Sequence, residues 1–184
     1  MIKNAYTAHV ENGITPLILD IGANIGCASL WFKEHYPSSK IVAVEPDSRN
    51  FEVLKCNSVD GIEPRNLALA SHDNGVALVR FENDAAHRTC NHGDIRVPSA
   101  SLSSLVKRYS TFTPFIIKID IEGAEKDVFS INCPELYHFP LVIFEPHDWM
   151  IPKERTSAGI MRQMCSANYE ILLGRENLFF IRID

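Results

Sequence analysis

Leu17-Ile18-Leu19-Asp20-Ile21-Gly22-Ala23-Asn24-Ile25-Gly26 is an apolar run that closes on an acid and then on two glycines four positions apart. The run reads as a buried strand, the glycines as a tight turn, and Cys27 through His35 as the helix that follows. Open α/β sheets bind nucleotide-like ligands on units of this order. Glycine lets the backbone come close to the ligand, and the first helical turn offers unpaired N–H donors. The stretch therefore marks a candidate cofactor site.

Outward from it the pattern recurs. Lys40 to Pro46 is a second short strand that also ends in an acid, Glu45, and Asp47 or Ser48 can cap a helix from Arg49 to about Asn57. Arg65 to Ala70 reads as a third strand, and Asp73-Asn74-Gly75 as a hairpin turn into Val76 to Phe81. Ser101 can cap a helix running to Tyr109, Phe115 to Asp120 is a strong buried strand, and Ile121 to Glu125 opens another helix. Leu141 to His147 is a further strand delivering Glu145 at its end. After it come a helix from about Lys153 to Ala167, a strand Tyr169 to Leu173, a turn Gly174 to Asn177 and a last strand Leu178 to Ile183. Ahead of the opening stretch, residues 1–16 read as a mixed entry segment with an Asn12-Gly13 turn. Between Glu82 and Pro98 the chain turns polar, with His87, Arg88, Cys90 and His92 close together and Ile95-Arg96-Val97 as a short edge strand. A loop of this length in a compact domain is read as an active-site loop.

The chain has 184 residues, 46% of them hydrophobic, which suits one domain spanning 1–184 with a substantial core. A net charge of −5 and no concentrated Lys/Arg surface argue against nucleic acid as a partner and leave a small organic molecule as the default substrate. Cys27, Cys56, Cys90, Cys133 and Cys165 are odd in number and form no C-x-x-C pair, as expected of reduced thiols in a cytoplasmic protein. No apolar run approaches the ~20 residues that span a bilayer, so no membrane partner is expected.

Asp20, Glu45, Asp120 and Glu145 each follow an apolar strand, so a parallel sheet would line them along one carboxyl edge, where doubly wound sheets bind ligands. Glu45 lies roughly 20 residues beyond the glycine turn, the spacing at which a second-strand acid accepts hydrogen bonds from ribose hydroxyls. The turn lacks the three glycines that bring backbone against a pyrophosphate, and no Gly-Lys-Ser/Thr follows it. An adenosine without a diphosphate fits these features. S-adenosylmethionine adds a cationic sulfonium and ammonium that an acid-rich edge attracts.

Asp20 to Gly26, Val44-Glu45-Pro46 and Ile117-Lys118-Ile119-Asp120-Ile121-Glu122-Gly123-Ala124-Glu125 together resemble the signature blocks of the FkbM-type S-adenosylmethionine-dependent methyltransferases. With Glu145-Pro146-His147 the resemblance covers about Leu17 to Ile183. It implies a class I methyltransferase fold: α/β, doubly wound, a mostly parallel seven-stranded sheet with helices on both faces and an antiparallel last strand. It also implies O-methylation of a hydroxyl on a sugar or other natural product. By position, Asp20, Gly22 and Asn24 would surround the methionine part of the cofactor, with Gly26 and Asp120 also among the cofactor-binding residues. Glu45 would hold the ribose, and Asn66 to Ala70 would lie near the adenine. Two departures stand out. Only sixteen residues precede Leu17 where family members carry a longer, often helical stretch that helps cover the cofactor, so the resemblance implies either that this cover is missing or that a homo-oligomeric or other partner chain supplies it. Leu102-Ser103 also stands where the family tends to have Leu-Asp.

Methyl transfer to an alcohol needs alignment of acceptor oxygen, methyl carbon and sulfur, and a group to take the proton. His147, Asp120 and Glu122 are the catalytic candidates, with His147 first because imidazole titrates near neutrality. His87 and His92 are alternatives from the polar loop. Asp120, Glu122, Glu145 and His147 could instead gather Mg²⁺ or Mn²⁺, but no metal ligands are assigned. His87, Cys90 and His92 lack a fourth zinc ligand at a sensible spacing. Trp31 and Phe32 read as core, and Trp149 and Met150 as candidate lining of a substrate pocket. The rival readings are a non-catalytic adenosine-cofactor-binding module of the same fold and a nucleotide-dependent oxidoreductase.

Overall fold

The computed structural model describes residues 2–80, 87–90 and 95–183, with the backbone alone for 79–80 and 87–90. In chain order the elements run α1 (Ile2–Glu11), β1 (Pro16–Ile21), α2 (Cys27–His35), β2 (Lys40–Val44), α3 (Ser48–Asn57), β3 (Ile62–Arg65), β4 (Ala68–Leu69), β5 (Val76–Arg80), β6 (His87–Cys90) and β7 (Ile95–Val97). They continue with β8 (Ser99–Ala100), α4 (Leu102–Arg108), β9 (Thr113–Ile119), α5 (Glu125–Val128), a 3₁₀ turn at Pro134–His138, β10 (Leu141–Phe144), α6 (Ala158–Cys165), β11 (Tyr169–Gly174) and β12 (Asn177–Arg182).

Seven strands form one sheet in the order β3-β2-β1-β9-β10-β12-β11. β12 is antiparallel to both of its neighbours, while the β3, β2, β1, β9 and β10 pairings are all parallel. The fold is the doubly wound α/β arrangement expected, with the antiparallel last strand slotted between β10 and β11. β1 is buried at every position, as a central parallel strand covered on both faces must be. Its side chains alternate: Leu17, Leu19 and Ile21 join a core with α4, α5 and α6, whereas Ile18 joins the core under α1, α2 and α3. Asp20 therefore shares Ile18's face and points toward α2. β1 and β9 run parallel with Ile21 and Ile119 side by side, which brings the glycine turn and the Asp120 block to one edge.

Several elements depart from the sequence reading. Residues 2–11 form a helix. Ile2, Ala5 and Tyr6 pack on the α2-side core, and the Tyr6 ring meets Tyr36 and Phe115 at centroid distances of 5.1 and 5.9 Å. The third strand of the main sheet is Ile62–Arg65, not Arg65 to Ala70. Pro64 and the charged Glu63 and Arg65 suit an edge strand, where a missing N–H costs no ladder bond on the open side. Ala68–Leu69 pairs instead with Ser99–Ala100 in parallel, so Asp73-Asn74-Gly75 joins no hairpin. Val76–Arg80 is the middle of a small antiparallel sheet with His87–Cys90 and Ile95–Val97 beside it. Residues 81–86 and 91–94 of the polar segment read as an active-site loop lie outside the described residues. Trp31 is 51% exposed, stacked on His35, while its neighbour Phe32 is the core residue. Cys27, Cys56, Cys133 and Cys165 are free thiols. Among the described residues no helix is long and apolar enough to cross a membrane.

Candidate functional site

The glycine turn is fastened from two sides. Gly22 and Ala23 donate their N–H groups to Val44 O of β2 at 3.0 and 2.9 Å. Gly22 sits at φ +80°, and a Cβ there would lie 1.7 Å from the Asp120 carbonyl oxygen, so only glycine lets the ends of β1 and β9 approach this closely. Asn24 also has positive φ (51°) and aims its N–H at Glu45 Oε2, 2.9 Å away. The other carboxylate oxygen, Oε1, accepts from Asp47 N at 2.9 Å. Burial pushes the Glu45 carboxyl up to about 7, against the lowering pull of those two N–H groups. Asn66 donates through Nδ2 to the carbonyls of Glu45 and Pro46 and so fixes the end of β2. Gly26 (φ +94°) is the first residue flanking α2 and rests against Leu54.

A small cleft open to solvent lies along this edge, lined by Ile21, Gly22, Val44, Pro46, Leu69 and Asp120 among others. Its walls are largely apolar, with Ala68, Ile121 and Ala124 adding to them and Glu122 at the rim. An aromatic base suits such walls, and the cleft places it within reach of the Gly22 backbone and the Glu45 end of β2. Each Glu45 oxygen holds one backbone N–H and keeps a second lone pair for a ribose hydroxyl. These features fit an adenosine ligand.

Asp20 behaves differently. It is fully enclosed beneath the turn, where Ser29 Oγ donates to its Oδ2 at 2.6 Å and Oδ1 has no hydrogen-bond partner. Burial raises its pKa, which Lys118, directly opposite on β9, offsets in part. Burial works against the charge of Lys118 as well, but Asp20 and Asp120 together hold its pKa up. Lys118 Nζ donates to Asp120 Oδ2 at 2.8 Å and thus ties the enclosed acid to the exposed edge.

The ends of β9 and β10 assemble the second half of the site. His147 is 1% exposed, and its Nδ1 meets Glu125 Oε1 at 2.8 Å. Glu125 is itself fully buried on α5. That contact turns Nε2 toward three carboxylates: Asp120 Oδ1 at 3.6 Å, Glu145 Oε1 at 3.6 Å and Glu122 Oε2 at 3.8 Å. Glu122 reaches the cluster from a left-handed backbone (φ 55°) just before Gly123 (φ 94°), ahead of the helix it was read as opening. Burial opposes the imidazolium, yet Glu125, Glu122 and Asp120 outweigh it and the His147 pKa is raised. Burial also raises the Glu122 and Glu145 carboxyls.

The structure thus brings Asp120, Glu122 and His147 together with Glu145, places Gly22 against Asp120, and joins Asn24, Glu45 and Asn66 in one hydrogen-bonded group. Asp20 and Gly26 stand behind the turn rather than at its open side. His92 lies outside the described residues, as do the side chains of His87 and Cys90. Trp149, 74% exposed, projects from the turn that follows His147, with Met150 beside it. The sequence reading did not single out Ser29, Lys118 or Glu125. The sequence signal for the last two was a charge inside an otherwise apolar strand and an acid three residues before a core valine.

Comparison with known proteins adds the family. The model of the Methyltransferase FkbM domain matches residues 20–171. Methyltransferase 1 of Beauveria bassiana is 30% identical over 139 residues, covering 60% of this chain and 56% of that protein. Hexuronic acid methyltransferase AglP of Haloferax volcanii is 24% identical over 145 residues, covering 76% of this chain and 59% of that one. The chain therefore spans little more than half the length of these relatives. Among solved structures, a putative caffeoyl-CoA O-methyltransferase from Staphylococcus aureus superposes with a TM-score of 0.55 at 12% identity, over 99% of this chain and 82% of that one. At that identity the likeness speaks for the fold alone.

Proposed function

The chain belongs to the FkbM methyltransferase family, and from that premise we propose that it is an S-adenosylmethionine-dependent O-methyltransferase acting on a hydroxyl of a sugar or other small natural product. The observation that carries this reading is the junction at Gly22: one glycine packs the adenosine-fitting cleft directly against Asp120 of the His147 cluster. Cofactor and acceptor would thus meet at a single strand end. The sugar class is supported by the name of the hexuronic acid methyltransferase relative.

In this reading Glu45 holds the ribose hydroxyls, Val44, Pro46, Ala68 and Leu69 enclose the adenine, and Gly22 with Asn24 leaves backbone room for the methionine part. S-adenosylmethionine, when bound, supplies an electrophilic methyl group on a sulfonium. The residues align the acceptor and draw off its proton. Asp120 and Glu122 border both cleft and cluster, so they orient an acceptor at the boundary between the two. Glu125 fixes the His147 ring so that Nε2 faces that boundary. Nε2, Glu122 and Glu145 are the proton acceptors within reach, and burial makes both carboxylates more basic than usual.

Incubation with S-adenosylmethionine carrying a labelled methyl group, together with a panel of uronic acids, glycans and phenolic alcohols, tests the proposal. Base-stable ether label in at least one acceptor is expected. Cofactor binding with no transfer to any hydroxyl would favour the non-catalytic module instead.

A further inference from the structure

We propose that Asp120, Glu122 and His147, with Glu145 beside them, form a binding site for one divalent cation of the Mg²⁺–Mn²⁺ class. The ligand atoms offered by Asp120, Glu122 and His147 all lie within 4.8 Å of one another. Nε2 stands 3.6, 3.6 and 3.8 Å from oxygens of Asp120, Glu145 and Glu122. Those separations are too long for hydrogen bonds. Around a small cation, bonds of about 2.1 Å put neighbouring ligands ~3.0 Å apart and opposite ones ~4.2 Å apart; the three separations lie between these limits, so shifts of about half an ångström would close the cluster on an ion.

A second observation is independent of the acids. The His147 ring is almost wholly buried, Nδ1 is spent on Glu125, and Nε2 makes no hydrogen bond although it aims into the cluster. Nε2 stands nearly equidistant from the three carboxylates. The buried carboxylate on the far nitrogen is the arrangement that orients a metal-binding imidazole and raises its basicity. Among the described residues the nearest positive group is Lys118, which is engaged with the other oxygen of Asp120. Three carboxylates and one imidazole nitrogen therefore converge on one point.

The donor set selects the metal. Oxygen ligands in the majority favour Mg²⁺, Ca²⁺ or Mn²⁺ over zinc or copper, and the single imidazole tilts the choice to Mn²⁺. The cation's role in catalysis rests on the methyl-transfer reading: Asp120 and Glu122 also line the cofactor cleft, so a bound cation could take the acceptor hydroxyl as a further ligand and fix it beside the cofactor. Nε2 is then a ligand, and the carboxylate oxygens of Glu122 and Glu145 that do not face the cation remain to receive the proton.

The test titrates Mn²⁺ into chelator-treated protein without cofactor, following loss of the free Mn²⁺ electron paramagnetic resonance signal. One site per chain is expected, at least tenfold weaker in Glu122→Gln. That variant alters a partly exposed side chain and should keep the parent's melting temperature. Pulsed resonance spectra of the bound ion should carry nitrogen coupling from His147. No binding at millimolar Mn²⁺, an unchanged affinity in Glu122→Gln, or bound Mn²⁺ without nitrogen coupling would each overturn the site. S-adenosylmethionine titrated into the same chelator-treated protein separates the two proposals. Heat with the cofactor but no Mn²⁺ site sinks the cation alone, and a Mn²⁺ site with no cofactor heat sinks methyl transfer alone.

Discussion

Two ends of one sheet edge hold acids in opposite conditions. At the β1–β2 end, Glu45 gives one oxygen to the Asn24 N–H and the other to the Asp47 N–H, each at 2.9 Å, so its carboxylate is part of the turn's own hydrogen bonding. At the β9–β10 end, Asp120, Glu122 and Glu145 face an imidazole nitrogen at 3.6 to 3.8 Å. Among the described residues only Lys118 donates a hydrogen bond to any of them. The first end is built from backbone and doubles as scaffold. The second is built from side chains whose charges await a proton, a substrate or a cation. Substitutions at the first end should therefore damage the fold and cofactor binding together, whereas those at the second should cost function and spare stability.

Gly22→Ala should separate the two ends most sharply. It adds a Cβ against the Asp120 carbonyl oxygen at a left-handed backbone position and should cost about 4 kcal/mol from strain and overpacking combined. The loss would be read as a shift in the denaturant midpoint. Glu45→Gln comes next. Exchanging a carboxylate for an amide loses a charge-assisted acceptor, so S-adenosylmethionine affinity should fall by about 2 kcal/mol, measured by calorimetry. Third is pH. Glu45 is raised from 4.5 to about 7 in the folded protein, so its contribution to stability is fully present below pH 4.5 and is lost as pH rises through 7. Hydroxyl donors from a ribose favour the ionised form, so cofactor affinity should strengthen between pH 6 and 8. Glu45→Gln should flatten both profiles. A smaller loss, about 1 kcal/mol, is expected of Asp47→Ala, which removes the side chain that caps α3 by accepting from Arg49 N and Asn50 N. At the other end of the edge, Glu122→Gln should change stability by no more than about 0.5 kcal/mol while weakening methyl transfer. A large drop in its melting temperature would break the contrast between the two ends.

The same contrast explains what could be read from the sequence. Glycine turns, apolar strands and Asp47 as a cap act over a few residues, so β1, α2, β2 and α3 fall within a residue or two of their sequence-based bounds. Pro64 and the charges around it argue locally against a strand, so local pattern does not point to Ile62–Arg65 as the third strand. At a sheet edge those charges are satisfied sideways, by Lys40 to Glu63 at 2.6 Å and Tyr109 Oη to Glu63 at 2.8 Å. In α1, Ile2, Ala5, Tyr6 and His9 follow helical spacing, but this short stripe gains its packing only from Tyr36 and Phe115 beneath it, which local pattern does not convey. At the candidate site, Asp120, Glu122 and His147 were legible as strand-end polar residues. What local pattern cannot convey is pairing across the fold. That Glu125 holds His147 across 22 residues, and that Lys118 stands opposite Asp20, follow only from the order of strands.

Calorimetric titration with S-adenosylmethionine, run beside NAD and repeated on Glu45→Gln, tests the cofactor cleft most directly. Saturable heat with S-adenosylmethionine, none with NAD, and at least tenfold weaker binding by Glu45→Gln are the results expected. No heat with S-adenosylmethionine, or the same affinity with and without the Glu45 carboxylate, would contradict it.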